Sequence, residues 1–436
     1  MINLVRSSIF SALLMTSSAC LSFLMFMYLA RVLGAAEYGL FASMFALGTI
    51  GAISALFGQQ TLSMKTLSAL ADEPDVIPQR RRSLRQSYQV AFSGAAIVVV
   101  LLLGVGLGAT ALGNDMDLRH LVGACALVFP LAMADLIAHQ FRAFGAIFWA
   151  LGPRDIFWRG GIVLACFAAA SLPFVFTNAL TTVVVLSLSL MVIVGIQATA
   201  MLISNRALLL PRPQSGSVTK MQWRTSMWMW FASLGNMGAS LNISGAAMFL
   251  PPEQIGAYFA AQKISQLLQL PIIAVNISAT PVFARLHKQS DLTGLRNVGQ
   301  KLAMLISVPL AIGAIVVGLI APELLGLFDP VFVDASAALT LLAASYLVIG
   351  LGGPTRQLML MSDGERQVFR LTVVSEVIGL ILIPILVPPF GIIGAALSAC
   401  VARLLFTVMS VSWCRKNLSV DTSILSLVPY FSVSKQ

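Results

Sequence analysis

Charged side chains are scarce in this sequence: Asp, Glu, Lys and Arg together make up only 10% of its 436 residues, whereas hydrophobic residues make up 58%. The mean hydropathy is correspondingly high, at +0.90. A soluble domain of this length could not bury so much apolar surface. The shortage of charge therefore excludes a soluble globular protein and predicts a chain surrounded by lipid.

Cysteine and histidine are also few, with five and three copies, and they are scattered along the chain. No CxxC pair and no Cys/His cluster occurs in the sequence, so the spacing excludes a zinc or redox site. No nucleophile and base stand in a recognisable pattern, and we predict neither enzymatic activity nor a bound metal or cofactor. The first apolar run lacks a small-residue cleavage site, which indicates a retained membrane span rather than a signal peptide.

The sequence contains many long apolar runs. A membrane-spanning helix needs ~20 apolar residues that rise ~1.5 Å each. Twelve runs meet this requirement, at residues 8–33, 39–64, 88–112, 119–140, 156–176, 179–203, 226–250, 255–283, 301–320, 334–359, 369–388 and 391–413. The predicted fold is therefore all-α, a polytopic membrane protein with about twelve transmembrane helices.

The basic residues support this count independently. A net charge of +10 suggests nucleic acid in a soluble protein, but in a membrane protein it reflects topology. With the N-terminus in the cytoplasm, all 27 Lys and Arg residues fall on the cytoplasmic side except Arg31, Arg119, Lys263 and Arg403. An odd number of spans would break this alternation. We therefore predict that both termini are cytoplasmic and that nucleic acid is not a partner.

The stretch Arg31–Ala42, RVLGAAEYGLFA, lies between the first two spans and recurs half a chain later as Leu250–Phe259, LPPEQIGAYF. Gly39 and Gly256 lie 217 positions apart, close to half of the 436 residues. A duplicated protein with a matched turn after the first helix of each half accounts for this echo. Because each half holds six spans, an even number, the two repeats are parallel.

The long basic stretch 204–225, with Pro211 and Pro213, is the natural linker between the halves. We predict four segments: an N-terminal six-helix bundle over 1–203, a cytoplasmic linker over 204–225, a C-terminal six-helix bundle over 226–413, and a cytoplasmic tail over 414–436 without an assigned role.

Ionisable groups inside membrane spans are costly and usually face an interior or a cavity. Glu376 lies twelve residues before Pro388, and Arg403 lies twelve residues after Gly391, on the two sides of a predicted hairpin. Both are therefore ~18 Å from the turn. The equal depth predicts a structural ion pair between Glu376 and Arg403; the alternative is a proton-coupling role for Glu376.

Asp135, His139 and Arg142 are spaced i, i+4, i+7 and share one helix face. Asp135 and His139 are thus coupling candidates, with histidine as the group that titrates near neutral pH. The alternative is a polar cytoplasmic end of the fourth span, where Arg142 extends to the headgroups.

Polar side chains at helical spacing predict cavity-facing surfaces on two spans. Asn236 lies on the seventh span, and Gln262, Gln266 and Gln269 lie on the eighth. A large amide side chain in lipid needs a dedicated hydrogen-bond partner. A role in helix packing alone therefore explains these residues less well than it would explain serine.

Two cations complete the candidate binding residues. Lys263 lies eleven residues beyond Pro252, ~16 Å deep, and the facing depth of the seventh span offers no acid. It is predicted either to hold an anion or to pair with a carboxylate or carbonyl of another helix. Arg31 lies near the outer turn, where it either extends to the headgroups or meets an arriving diphosphate.

The turn LGAAEYGLFA and the run VPPFGIIGAALSACVARLL at Val387–Leu405 resemble the polysaccharide-specific flippases. These Wzx-type transporters belong to the multidrug/oligosaccharidyl-lipid/polysaccharide exporter superfamily. The resemblance covers the whole chain through its length, its twelve spans, its two six-helix halves and both motif positions. It implies two bundles around a central cavity, lined by the first two helices of each half.

The resemblance also implies export of a polyprenyl-diphosphate-linked oligosaccharide across the bacterial inner membrane for polysaccharide biosynthesis. Expected partners are this substrate and membrane lipids, with other polysaccharide assembly proteins as further candidates, and coupling to protons or sodium ions is open. One rival is a cation-coupled multidrug exporter of the same superfamily. Another is a membrane glycan polymerase or ligase, although the longest predicted outer connection, near 321–333, is too short for an acceptor domain.

Overall fold

The computed structural model describes residues 2–70, 77–111, 118–168, 176–204, 220–233, 235, 237–289, 291–362 and 364–424. These residues are almost entirely helical, and no strand occurs among them. The chain divides into two compact units, Met1–Ser244 and Gly245–Gln436. The segment boundaries predicted from the sequence stay a prediction.

The described part of the first unit contains nine helices and a π-helical segment. Their bounds are α1 (Ile2–Leu33), α2 (Ala35–Leu56), α3 (Gln59–Ala69), α4 (Ile77–Ala111), α5 (Leu118–Ala143), α6 (Ile147–Leu151), the π-helix Gly152–Trp158, α7 (Arg159–Ala168), α8 (Ala179–Ser204) and α9 (Lys220–Ser233). Helix α10 (Gly238–Ala246) crosses the boundary between the units.

Among its described residues, the second unit continues with seven α-helices and a short 3₁₀-helix. Their bounds are α11 (Pro252–Gln266), α12 (Gln269–Lys288), α13 (Leu292–Leu319), α14 (Ala321–Gly326), the 3₁₀-helix Pro330–Ala335, α15 (Ser336–Gly352), α16 (Thr355–Met361) and α17 (Glu365–Asn417).

Eight helices in the described part of the chain are long and apolar enough to cross a membrane. The longest, α17, turns back at Gly391, where φ is 55° and ψ is −133°, a backbone conformation suited to glycine. The hairpin predicted near 388–391 is therefore present, and α17 supplies two spans in two arms.

The other three predicted spans, the fifth, the seventh and the eighth, are interrupted helices in the described part of the chain. The second span, already counted through α2, also breaks before α3, where Phe57 and Gly58 have φ of 44° and 78°. The eighth breaks between α11 and α12, the seventh between α9 and α10, and the fifth passes through the π-helix. An interrupted span contains no continuous helix long enough to cross a membrane by itself. For this reason, the described part of the chain contains fewer membrane-length helices than the twelve spans predicted from hydropathy. An all-α, polytopic membrane fold is confirmed.

The repeated turn begins a helix in each unit. Gly34, with φ of 74°, precedes α2 at Ala35, and Pro251 precedes α11 at Pro252. The two helix starts lie 217 positions apart, like the sequence motifs. Phe41 and Tyr258, which share this offset, are both fully buried. The predicted turn is thus real, and each following helix buries an aromatic ring at the same place.

Small residues bring the helices of the first unit close together, as expected where lipid rather than water surrounds a bundle. A Cβ atom on Gly48 would lie 2.9 Å from the backbone oxygen of Ala124, and one on Gly94 would lie 2.1 Å from that of Ala55. These contacts join α2 to α5 and α4 to α2.

The start of the tail packs onto the second unit. Val420 and Thr422 are fully buried, and Val420 lies in an apolar cluster with Phe283 of α12 and Leu295 of α13. Arg415 Nη2 lies 2.6 Å from Asp421 Oδ2, an ion pair that holds the segment against the end of α17. The sequence had assigned this tail no role.

Candidate functional site

The first unit contains a cluster of charges centred on the π-helix Gly152–Trp158. A π-helix is rare and is often found at functional positions. Pro153 removes one backbone donor near its start, and the wider turn places Arg154 and Asp155 toward neighbouring helices. From the sequence, Arg154 and Arg159 were predicted only as cytoplasmic charges, and Asp155 was not among the predicted site residues.

Arginine and aspartate alternate through this cluster. Arg154 Nε lies 3.2 Å from Asp155 Oδ1, and Arg154 Nη1 lies 3.4 Å from Asp135 Oδ1. Arg159 Nη2 also approaches Asp155 Oδ1, at 3.2 Å. Asp155 Oδ1 therefore contacts two guanidinium groups. These charge-assisted contacts offset the free-energy cost of burying the charges of Arg154 and Arg159.

Arg159 connects the cluster to α1. Its Nη1 donates to Ser18 Oγ at 2.6 Å and to the backbone oxygen of Ser18 at 2.9 Å. The charge cluster thus joins α5, the π-helix, α7 and α1 within one unit.

The structure brings together two of the three residues that the sequence placed on one face of α5. His139 Nδ1 lies 2.8 Å from the backbone oxygen of Asp135 and 3.7 Å from its Oδ1. The short contact fits an N–H at Nδ1 that donates to this carbonyl oxygen. Arg142 is exposed at the end of α5, which is compatible with its predicted extension to the headgroups. The coupling role of Asp135 and His139 stays a prediction.

The three acidic side chains in the described part of the first unit are all engaged by protein groups. Asp135 and Asp155 meet arginines, as above. Glu37, from the repeated turn, accepts the backbone N–H of Ala179 at 2.6 Å and so caps the start of α8. In this arrangement none of the three presents a carboxylate without a protein partner.

Arg403 is the centre of a second cluster, in the second unit. Its Nη1 donates to Ser345 Oγ at 2.5 Å, and its Nη2 donates to Tyr346 Oη at 3.3 Å. The guanidinium carbon lies 4.3 Å from the centroid of the Tyr346 ring, a cation–π contact. Gln269 Nε2 donates to the same hydroxyl at 2.6 Å, so Tyr346 links α12, α15 and α17.

The predicted ion pair between Glu376 and Arg403 is not formed as a direct contact. Both residues are described, and Arg403 uses its donors on the two hydroxyls of α15 instead. Glu376 is partly buried and has no hydrogen bond or ion pair within the described part of the chain. The equal depth along the hairpin was inferred correctly, but the rotation of each arm about its own axis selects the partner.

Lys263 lies on α11, partly buried, with its Nζ 4.8 Å from the centroid of the Phe259 ring. Gln266 is also partly buried, whereas Gln262 is 1% exposed and lies within the packed interior. The break after Gln266 interrupts the predicted polar stripe, because Gln269 begins α12 and bonds Tyr346. The stripe is therefore not one continuous helical face.

The other two binding candidates give less information. Arg31 is exposed in the last turn of α1, as expected near an outer turn. Asn236 lies outside the described residues. Within the ranges that the structure describes, no group of three or more His, Cys, Asp or Glu could hold a metal ion.

Several known proteins resemble this chain in sequence or in structure. No family model matches the chain. A probable flippase of Haloferax volcanii is 25% identical over 206 residues, which cover 45% of this chain and 42% of that protein. The matched region is therefore less than half of either protein.

Solved structures match over nearly the whole chain. An inward-facing multidrug resistance MATE family transporter of the MOP superfamily has a TM-score of 0.70 at 15% identity, covering 92% of this chain and 94% of that one. The lipid II flippase MurJ in an inward closed conformation has a TM-score of 0.66 at 12% identity, covering 100% and 94%. A MOP superfamily transporter from Pyrococcus furiosus, described as having a binding pocket of reverse polarity, has a TM-score of 0.55 at 16% identity, covering 95% of each chain. The chain thus shares its fold with a MATE family transporter and with the lipid II flippase.

Proposed function

We propose that this protein is a flippase that moves a polyprenyl-diphosphate-linked oligosaccharide across the bacterial inner membrane by alternating access, with both termini in the cytoplasm. Two similarities support the proposal: the sequence relative is a probable flippase, and one solved neighbour is the lipid II flippase. Binding and release require no covalent chemistry, and we assign no enzymatic activity.

The observation that carries the proposal is the cationic character of the second unit at membrane depth. Two cations, Lys263 and Arg403, and one acid, Glu376, lie deep in the spans that the sequence predicts for this unit. Arg403 is held by two hydroxyls and a ring, all of them neutral groups. A diphosphate carries negative charge that such groups would stabilise in a region that otherwise repels ions.

Lys263 is the residue to which we assign the diphosphate. Its ammonium lies beside the Phe259 ring rather than fully enclosed, and a compact, flexible point charge suits phosphate without fixed geometry. Gln266 lies one turn further along α11, partly buried, and supplies an amide for sugar hydroxyls. Arg31, Asn236, Gln262 and Gln269 remain candidates for the same pathway.

A cation-coupled multidrug exporter is the main alternative, because the solved neighbour with a TM-score of 0.70 is a multidrug transporter. A cationic drug would need acidic groups to neutralise it. The described acids of the first unit are already bound to arginines or to a helix start, which favours an anionic substrate.

Complementation in a strain that lacks the gene tests the proposal. We expect Lys263→Gln to lose most export and to accumulate lipid-linked intermediates while membrane abundance stays normal. Lys263→Arg should keep much of the activity, because charge rather than shape is required. Lys288→Gln, at an exposed position in the last turn of α12, is the matched control and should behave as the wild type.

Normal export by Lys263→Gln would remove the lysine from the mechanism. Loss of export together with loss of protein would favour a structural partner for Lys263. Loss of drug resistance without any change in lipid-linked intermediates would replace the flippase by the multidrug exporter.

A further inference from the structure

Glu376 is an unusual group in this structure. It lies in the first arm of α17, twelve residues from Pro388, and is partly buried. Within the described part of the chain, its carboxyl group makes no hydrogen bond and no ion pair. An ionised carboxylate at membrane depth without such a partner is costly, so this arrangement suits the neutral, protonated acid.

Arg403 is the cation whose charge reaches Glu376, although it does not touch it. Two of its N–H groups donate to the neutral hydroxyls of Ser345 and Tyr346, and the Tyr346 contact is long, at 3.3 Å. A guanidinium bond to a carboxylate is roughly twice as strong as one between neutral groups. Loss of the Glu376 proton would therefore create a better partner for Arg403 than the one it has.

We propose that Glu376 is a proton-binding coupling residue and that Arg403 exchanges Tyr346 for Glu376 when the proton leaves. In the protonated state, the neutral Glu376 stands apart and Arg403 bonds to α15, as observed. In the deprotonated state, the proton has passed to water and Arg403 bridges the two arms of α17. No other co-reactant is involved. This coupling role rests on the proposed transport function.

The surroundings allow only a few charges to compete for Glu376. The described elements that pack against α17 contribute Glu253, Tyr258 and Lys263 on α11, Tyr346 on α15 and Arg356 on α16. None of these makes an ion pair with Glu376. Arg403, whose charge already acts on the carboxyl group, is the cation placed to respond.

The exchange would change side-chain contacts of three helices. Tyr346 Oη accepts from Arg403 of α17 and stands 2.6 Å from Gln269 Nε2 at the start of α12. When Arg403 leaves Tyr346, the hydroxyl keeps its bond to Gln269, and α17 stays joined to α15 through the bond from Arg403 to Ser345 alone. A protonation event at Glu376 thereby alters the junction of α12, α15 and α17, which is the kind of two-state element that coupling requires.

Infrared difference spectroscopy of the purified protein, titrated with pH in lipid nanodiscs without substrate, tests the proton site. We expect the wild type to show a carbonyl stretch of a neutral carboxylic acid that disappears as the pH rises. Glu376→Gln should lack this band, and Asp135→Asn, the matched control in the first unit, should retain it. An unchanged band in Glu376→Gln would overturn the proposal.

Two variants test the partner exchange. Arg403→Gln removes the cation that stabilises the carboxylate, so the midpoint of the band should move to higher pH by about one to three units. Tyr346→Phe removes a competing partner but keeps the ring, so the midpoint should move to lower pH. Should Arg403→Gln fail to fold, Tyr346→Phe carries the test. A midpoint that Tyr346→Phe leaves unchanged would refute the exchange.

The outcome is separable from that of the proposed function. The infrared titration needs no substrate, so it reports on Glu376 whether or not lipid-linked oligosaccharide is the cargo. Complementation by the Lys263 variants reports on the cargo whether or not Glu376 binds the proton.

Discussion

Arg159 Nη1 lies 2.6 Å from Ser18 Oγ and 2.9 Å from the Ser18 carbonyl oxygen, so an arginine of one helix binds both the side chain and the backbone of another. Inside a membrane helix, a carbonyl normally accepts only from its own helix. The contact joins α1 to α7, while the other side of the Arg159 guanidinium binds Asp155. Tertiary contacts of this kind determine which charged residues support the structure.

Asp155 is predicted to be essential for stability. Asp155→Asn leaves Arg154 and Arg159 facing an uncharged amide, and breaking a buried ion pair in this way costs about 3–5 kcal/mol. Asp135→Asn should cost clearly less, because the Asp135 side chain is 31% exposed and faces one arginine, whereas that of Asp155 is 8% exposed and faces two. Thermal unfolding of the purified variants measures both. An equal or larger loss for Asp135→Asn would contradict the assignment of Asp155 as the centre of the cluster.

Glu37 is predicted to stabilise the start of α8. Glu37→Ala removes the acceptor for the Ala179 N–H, and loss of a helix-capping acceptor costs about 0.5–2 kcal/mol. Glu253→Ala, in the repeated turn of the second unit, is the control, because Glu253 is exposed in the first turn of α11. Chemical or thermal unfolding should separate the two variants. Identical stability would show that the Glu37 contact contributes nothing.

Gly94 is predicted to be required for the close approach of α4 to α2. An added Cβ would lie 2.1 Å from the backbone oxygen of Ala55, so Gly94→Ala must displace a helix and should cost about 1–3 kcal/mol. Gly104→Ala is the matched control on the same helix, because its Cβ would meet nothing within 4 Å. Unfolding of the two variants side by side tests the packing. Loss of stability in Gly104→Ala alone would be inconsistent with it.

The proposed topology predicts opposite labelling of two loops. In a cysteine-free background, Asp115→Cys should react with an impermeant thiol reagent in intact cells, and Gly216→Cys should not. The reason is the concentration of Lys and Arg in the segments assigned to the cytoplasm. Gly216 and Asp115 lie outside the described residues, so labelling is the direct measurement. The reverse pattern would invert the assigned orientation.

Much of the fold was accessible from sequence because its signals are local. Hydropathy over ~20 residues identifies a span. The hairpin at Gly391 and the paired helix starts at Ala35 and Pro252 followed from flanking glycine and proline and from the 217-residue offset. The breaks after Leu56 and Gln266 were missed, since hydropathy alone does not register a change of backbone conformation within an apolar run.

The charged contacts were harder to predict. Asp135 and His139 were recognised as neighbours because they lie one turn apart on a single helix. Asp155 and Ser18 were not, since their contacts to Arg159 join separate elements. The expected pair of Glu376 and Arg403 had the right depth, but Arg403 bonds Ser345 and Tyr346.

The sequence by itself determined an all-helical membrane chain, its apolar spans and its internal repeat, because length, hydropathy and repetition are properties of the chain before it folds. Only the tertiary structure decided which partner each buried charge takes. Depth follows from counting residues along a helix, whereas a contact also depends on the rotation of each helix about its axis and on the close packing that brings two helices together. For this reason Arg403 bonds α15, and Arg159 bonds α1.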